Sequence, residues 1–341
     1  MVTIKLQIEV KEGEKMSDKI KQTVKNKVVL TGVITELKVT EGVTKAKENK
    51  PSCDYISIKG EVQFGTHKAE SRRFESFVQK INKKGTENGL YAPTLAFGKR
   101  AKSAKDVGLE NATFISLQGE FSDNVYVAKD GKLKEGLNID IKFFNEVDDF
   151  NPTLTMNENL TALGKGQLDI EGYIQNIVEE EIGEDATPTG RLKMNVVTSN
   201  YFSNAIPIKN VIIPVEYAEG LQSAYDETQT ATFFLEFMLK KSEKVVQTGG
   251  LGAQRTTDGK SYLEMVLTGA NGAIDEDEIG AISTEAIGIA LKTRQEHVAE
   301  VKEAGYQGKG GTTSSNTNTR QAGLNVPNPT ATIDDDDDLP F

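Results

Sequence analysis

Apolar positions recur with a period of two in a series of short runs, the spacing of strands with one face buried. The first firm run is Lys27 to Val39, KVVLTGVITELKV, where Val and Ile gather around Gly32. From Cys53 to Phe64, Ile56, Ile58, Val62 and Phe64 fall on one side and Tyr55, Ser57, Lys59 and Gln63 on the other. Glu70 to Ile81 is the expected partner, reached through a turn near Gly65, and Phe74 and Phe77 fall on opposite faces of it, so at most one is core. The Ala, Lys and Leu of Lys99 to Leu109 predict a short helix, and Thr113 to Val127 and Leu137 to Val147 predict two more strands. The first 26 residues alternate weakly and read as an arm or edge strand. Asp148 to Gly166, rich in Asn, Thr and Gly and holding Pro152, reads as a connector.

The same order then begins again. Gly166 to Val178, GQLDIEGYIQNIV, matches the opening strand, with Gly172 placed like Gly32. An acidic loop over Glu179 to Thr189, a strand pair over Arg191 to Val215, a helix at Tyr217 to Tyr225 and strands at Ala231 to Lys240 and Tyr262 to Leu267 follow. ATFISLQGE at 112–120 is echoed by ATFFLEFML at 231–239, at the equivalent place in each half, which points to an internal duplication. Five short strands with a small helix before the fourth is the order of an OB-fold, a partly open five-stranded Greek-key barrel. The expected class is therefore mostly β, with tandem OB-fold domains and short helices.

The expected boundaries are an arm at 1–26, a first domain at 27–150, a connector at 151–165 and a second domain at 166–306 that ends in a helix over Thr284 to Gly305. Residues 307–333 hold too little apolar surface to fold alone and read as a flexible tether. An acidic tip closes the chain at 334–341.

With 341 residues, 37% hydrophobic, the chain can bury two cores of ordinary size. Its net charge of −11 argues against a uniformly basic molecule, but the charge is unevenly placed. Residues 1–150 hold 26 Lys and Arg against 22 Asp and Glu, and the remainder 14 against 29; within 15–105 the count is 20 against 9. The chain is basic in front and acidic behind. One cysteine, Cys53, excludes an internal disulfide, and with no secretory signal or long apolar run the chain reads as cytoplasmic. The two histidines, His67 and His297, lie far apart, which makes Cys/His zinc sites and imidazole catalysis poor expectations.

No cofactor motif is present. GKGG at 308–311 lacks the spacing and terminal Lys and hydroxyl of a phosphate-cradling loop. Glu179 to Glu181, or Asp148 with Asp149, could be assembled into a metal nuclease site, but crowded in loops they read as solvated charge. The chain is not expected to be an enzyme.

The last eleven residues are ATIDDDDDLPF, in which Asp334, Asp335, Asp336, Asp337 and Asp338 precede Leu339, Pro340 and Phe341. Negative charge, a stiffening proline and a terminal aromatic with a free carboxylate suit a small apolar pocket rimmed by cations on another protein. A merely solubilising tail has no need of the last three residues. The segment resembles the C-terminal tip of bacterial single-stranded DNA-binding proteins, with Leu339 where Ile is usual. The resemblance implies an OB-fold body that coats single-stranded DNA and a tip that recruits replication, recombination or repair proteins. It covers only the end of the chain; the larger, tandem body looks more like that of a phage or plasmid replication protein.

Coating single strands requires cations along a groove and aromatic faces for stacking. The first domain offers Lys59, Lys68, Arg72, Arg73, Lys80, Lys83, Lys84, Lys99, Arg100, Lys102 and Lys105, with Tyr55, Phe74, Phe77, Tyr91 and Phe97 among them. Each aromatic alone reads as core, Tyr55 least so, and each cation alone as solvated charge; their concentration in one acid-poor stretch carries the expectation. Arg191, Lys193, Tyr201, Phe202 and Lys209 form a possible second DNA surface, opposed by Glu179, Glu180, Glu181, Glu184 and Asp185. The alternative is a replisome adaptor that uses the same folds for protein contacts. Homo-oligomers are compatible with either, and no membrane partner is expected.

Overall fold

The computed structural model describes residues 24–46, 51–182, 186–200, 204–247 and 254–306, leaving aside the side chains of 242–258. Ten strands account for most of it: β1 (Asn26–Val43), β2 (Asp54–Gln63), β3 (Ser71–Gln79), β4 (Phe114–Val127), β5 (Leu133–Asn145), β6 (Lys165–Ile182), β7 (Thr187–Ser199), β8 (Ala205–Ile213), β9 (Thr230–Gln247) and β10 (Gln254–Ala270). The helices are α1 (Tyr91–Arg100), α2 (Ala104–Val107), α3 (Met156–Leu163), α4 (Val215–Ala224) and α5 (Thr284–Ala304). The expected strands are all present. The first helix forms earlier than Lys99, because Pro93 sits in its first turn, where the missing N–H costs nothing.

The strands make one continuous sheet in the order β2-β3-β5-β4-β1-β6-β7-β8-β10-β9, and further pairings of β2 with β1 and of β6 with β9 close each half into a ring of five. In each ring four of the five pairings are antiparallel, and only the third and fifth strands run parallel, at Glu75 with Asp140 and at Ile212 with Val266. β1 explains the closure. Its residues Val28 to Val33 pair with β4 and Val33 to Val43 with β2, so it passes from one partner to the next beside Gly32. There the backbones are so close that a Cβ on Gly32 would lie 2.0 Å from the Gln63 carbonyl oxygen. Gly172 stands likewise in β6, where a Cβ would lie 2.2 Å from a methyl of Val196.

Where β2 has not yet joined, β1 has a spare edge, and it is taken by the same edge of β6. Asn26 to Thr31 pair antiparallel with Ile170 to Lys165, and Val28 lies opposite Leu168. The step from Gly32 to Gly172 equals that from Val28 to Leu168, so the junction is a pseudo-two-fold centred on that pair. Inward residues of both rings, including Leu30, Ile34, Phe121, Ile174 and Phe233, join in one buried cluster. Phe64 stacks on Phe237 across the junction at 5.9 Å between centroids.

Each ring is followed by a helix over the outer face of its first strand. The segment expected as a connector folds as α3: Thr155 and Glu158 form a capping box, and Met156 and Leu160 pack on Val33 and Ala112. In the second half, Ile282, Ala286 and Ile287, at the start of α5 and just before it, pack on Tyr173, Val197 and Ala205. At 21 residues α5 is far longer than α3, and its second half crosses back to the first ring. Val298 and Val301 pack on Val125, Val127 and Leu133 of the β4–β5 hairpin. Arg294 donates to both oxygens of Asp123 at 2.7 and 2.9 Å and to Glu135 at 2.8 Å. Arg294→Ala would leave the mostly buried Asp123 without this partner. It is expected to cost about 1.5–3 kcal/mol, read as a lower urea midpoint at unchanged slope.

Candidate functional site

The outer face of the first ring, across β2, β3, β5 and β4, carries Tyr55, Lys59, Arg73 and Phe77 of the residues singled out in the sequence. The registers set them in rows. One row runs Lys59, Glu75, Asp140, Glu120: Lys59 lies opposite Glu75, Glu75 beside Asp140, and Asp140 opposite Glu120. Lys59 Nζ meets Glu75 at 3.3 Å and Lys142 Nζ meets Glu120 at 3.4 Å, which leaves Asp140 between two carboxylates. Burial, then the neighbouring Glu75 and Glu120, pushes the Asp140 carboxyl up to about 6 against the hydrogen bond from Ser122 and the charge of Lys142.

The next row begins with Ser57 opposite Phe77. Phe77 is 47% exposed, and its ring lies 5.2 Å from that of Tyr55, one diagonal step away on β2. Tyr55 itself is buried. Its ring covers Gly42, where a Cβ would come within 2.7 Å of the hydroxyl oxygen, so the glycine makes room for the tyrosine and the tyrosine supports Phe77. Tyr55 is thus the base of the exposed ring rather than a solvent-facing one.

The other expected aromatics divide. Phe74 is 3% and Phe97 2% exposed, both in the main core, and Phe97 stacks on Phe144 at 4.1 Å. Neither presents a face to a ligand, because the inward side of β3 and of α1 is where the ring needs volume. Tyr91 is half-buried against the same core. Sequence reasoning missed Phe143. It is 47% exposed on β5, where the register slips between Gln118 and Gly119, and the two adjacent phenylalanines 143 and 144 point to different sides.

Of the cations, Lys68, Arg73, Lys80, Lys83, Lys84, Lys99, Arg100, Lys102 and Lys105 are exposed. Lys80 pairs with Asp54, Arg100 with Glu146 and Lys105 with Glu36, all at the surface, where solvent leaves such pairs exchangeable. Arg73 stands opposite Glu61. Arg72 is different. On the inward side of β3, its guanidinium lies 4.6 Å from the Phe237 ring centroid at the junction between rings, and burial lowers its pKa to about 10. It is a packing residue rather than a phosphate contact.

The second surface is changed more. Arg191 donates to Glu180 at 2.6 and 2.7 Å and to Glu264 at 3.0 Å, and these bonds raise its pKa further. They hold the Glu180 carboxyl down to about 2, and Lys193 and Lys240 complete the network. Glu180 is buried on β6, not in a loop, and Arg191 ties the β6–β7 hairpin to β10. Arg191 is therefore consumed internally. Lys209 is exposed; Tyr201, Phe202, Glu184, Asp185 and the whole tip from Asp334 to Phe341 lie outside the described residues.

Among the described residues no group of three or more His, Cys, Asp or Glu is arranged to hold a metal ion, and no helix is long and apolar enough to cross a membrane. Asp140 generates a test. Its folded pKa lies above that of an ordinary Asp, so it favours the fold when protonated and loses that contribution as pH rises from about 4 through about 6. Asp140→Asn is expected to flatten thermal stability over that window and to match or exceed the unsubstituted protein at pH 7, as followed by circular dichroism.

No curated protein shows a significant match to the chain. Among solved structures, the wild-type single-stranded DNA binding protein from Thermus aquaticus is similar at 9% identity and a TM-score of 0.39, over 76% of this chain and 97% of that one. A deletion mutant of the same protein gives the same score and identity over 75% and 98%. A family model described as YorF matches residues 25–304, which takes in both rings and the long last helix, and the chain belongs to the YorF family.

Proposed function

We propose that the protein binds single-stranded DNA without sequence preference, coats and protects it during replication, recombination or repair, and recruits partner enzymes through its C-terminal tip. Each ring is taken as an OB-fold barrel, residues 27–150 and 166–306. The supports are five strands in the order 1-2-3-5-4, the parallel third and fifth strands, and a short helix before the fourth strand. The binding surface is the outer face of β2 and β3 in the first ring. The observation that carries the reading is Phe77, an aromatic ring exposed on that face, braced from below by Tyr55 and Gly42, in a stretch dense in exposed Lys and Arg.

The chemistry is that of a stoichiometric binder. Bases stack on Phe77 while Lys80, Lys83 and Lys84 meet phosphates, so binding tolerates any sequence and weakens with salt. The second ring has a structural share in this reading. No aromatic is exposed among the described residues of β7 and β8, and Arg191 is engaged by Glu180 and Glu264. The tip from Asp334 to Phe341, carrying five negative charges, competes with DNA for the basic face and engages a pocket on a partner. No catalytic step is assigned to the chain, and the cytoplasm is its compartment.

Fluorescence anisotropy of a labelled 30-nucleotide strand and of its duplex, at two salt concentrations, tests this. The intact protein is expected to prefer the single strand and to lose affinity with salt, and protein ending before Asp334 to bind as tightly or more tightly. Lys84→Gln is expected to reduce the slope of log affinity against log salt by about 0.7. Absence of strand binding by both forms, with a replication partner still bound, would put the adaptor reading in its place.

A further inference from the structure

Phe143 stands outside every residue set so far given a role, and its exposure has a structural origin. β5 must turn both Ile141 and Phe144 inward, Ile141 into the main core and Phe144 onto Phe97. In a regular strand residues three apart face opposite sides, so an extra residue is needed between them. The bulge supplies it: Gly119 pairs with Ile141, Gln118 with Phe143, and Lys142 is left over. At this crossing a Cβ on Gly119 would lie 2.1 Å from the Asp140 carbonyl oxygen, which only glycine allows. The bulge turns Phe143 to solvent beside Lys142.

β3 and β5 run parallel with Glu75 level with Asp140. Phe77 lies two residues beyond Glu75 on β3 and Phe143 three beyond Asp140 on β5, so both follow the paired residues in the same direction. Two exposed phenylalanines thus stand on neighbouring strands of one face, each 47% exposed, where isolated large apolar rings are usually covered. On one side they are bounded by the carboxylates of Glu75, Asp140 and Glu120; on the other lie the strand ends and the loop carrying Lys80, Lys83 and Lys84. On the first side Lys59 and Lys142 are already taken up by Glu75 and Glu120, so a phosphate backbone finds no surplus cation there and is attracted to the second.

We infer that Phe77 and Phe143 form a two-base stacking platform on which a single strand of DNA crosses β3 and β5, its phosphates turned toward Lys80, Lys83 and Lys84. This deepens, and rests on, the single-strand-binding reading. Phe143 is a binding residue in it, and the carboxylate row sets the side on which the strand runs.

The experiment uses the intact protein, a labelled oligo-dT and the variants Phe143→Ala, Phe77→Ala and Phe143→Trp, with Tyr217→Ala on α4 as a control for loss of an exposed ring. Phe143→Ala is expected to weaken binding roughly 5- to 100-fold, with an unchanged melting temperature because the ring is exposed, and Tyr217→Ala to leave affinity unchanged. The natural chain has no tryptophan, so Phe143→Trp adds a single reporter, whose emission is expected to be quenched as the oligonucleotide stacks on it. If the intact protein binds and Phe77→Ala weakens it, while Phe143→Ala binds normally and the tryptophan emission of the Phe143→Trp variant does not change, the platform is overturned and strand binding stands. If the intact protein does not bind the oligonucleotide, both fall together.

Discussion

The rest of the structure depends on how β1 satisfies its backbone. A strand offers hydrogen-bonding groups along both edges, and burying any of them unpaired is costly. β1 is 18 residues long, and its partners β4 and β2 take successive stretches of it, leaving the beginning of one edge open. β6 has the same stretch open, and each fills the other's. The two five-stranded rings thereby become one continuous sheet with a shared core. The stacked Phe64 and Phe237, with Arg72 over the latter, seal the point where they meet.

That pairing is symmetric, and the departures from symmetry lie in what each copy adds. The first ring keeps a short closing helix and an outer face with two exposed phenylalanines. The second carries a long helix that reaches back to clamp the β4–β5 hairpin through Arg294, Asp123 and Glu135, and its own hairpin arm is stitched by Arg191 between two carboxylates. Charge follows the same division. Apart from Arg72, the cations singled out in the first ring lie exposed or in surface pairs that solvent can exchange, whereas Arg191 and Arg294 are largely covered and each bonded to two carboxylates. The first ring carries the exposed phenylalanines, and the long helix that follows the second braces it.

The face on the first ring also shows how ordinary sheet chemistry leaves two phenylalanines exposed. Gly42 permits Tyr55 to lie flat, Tyr55 holds Phe77 up, and a bulge enforced by Gly119 turns Phe143 outward. The row of Glu75, Asp140 and Glu120 places carboxylates on adjacent strands, the outer two relieved by Lys59 and Lys142 and the middle one left between them.

The sequence by itself determined the strands, because side chains alternating every two residues write the inner and outer faces directly into the chain. Ile56, Ile58 and Val62 are core for that reason, and Gly32 with Gly172 marked the repeat because a strand changing partners needs a glycine. Phe74 and Phe77 were legible as an opposed pair, though not which of them was buried. What only the tertiary structure decided was everything that depends on neighbours distant in sequence. Lys and Arg look alike along a chain, so nothing local distinguished Arg72 under Phe237, or Arg191 between Glu180 and Glu264, from cations free to meet a phosphate. Phe143 was hidden for a related reason: a bulge exists only relative to the strand it pairs with, and a run of two phenylalanines does not say which one the partner strand will turn outward.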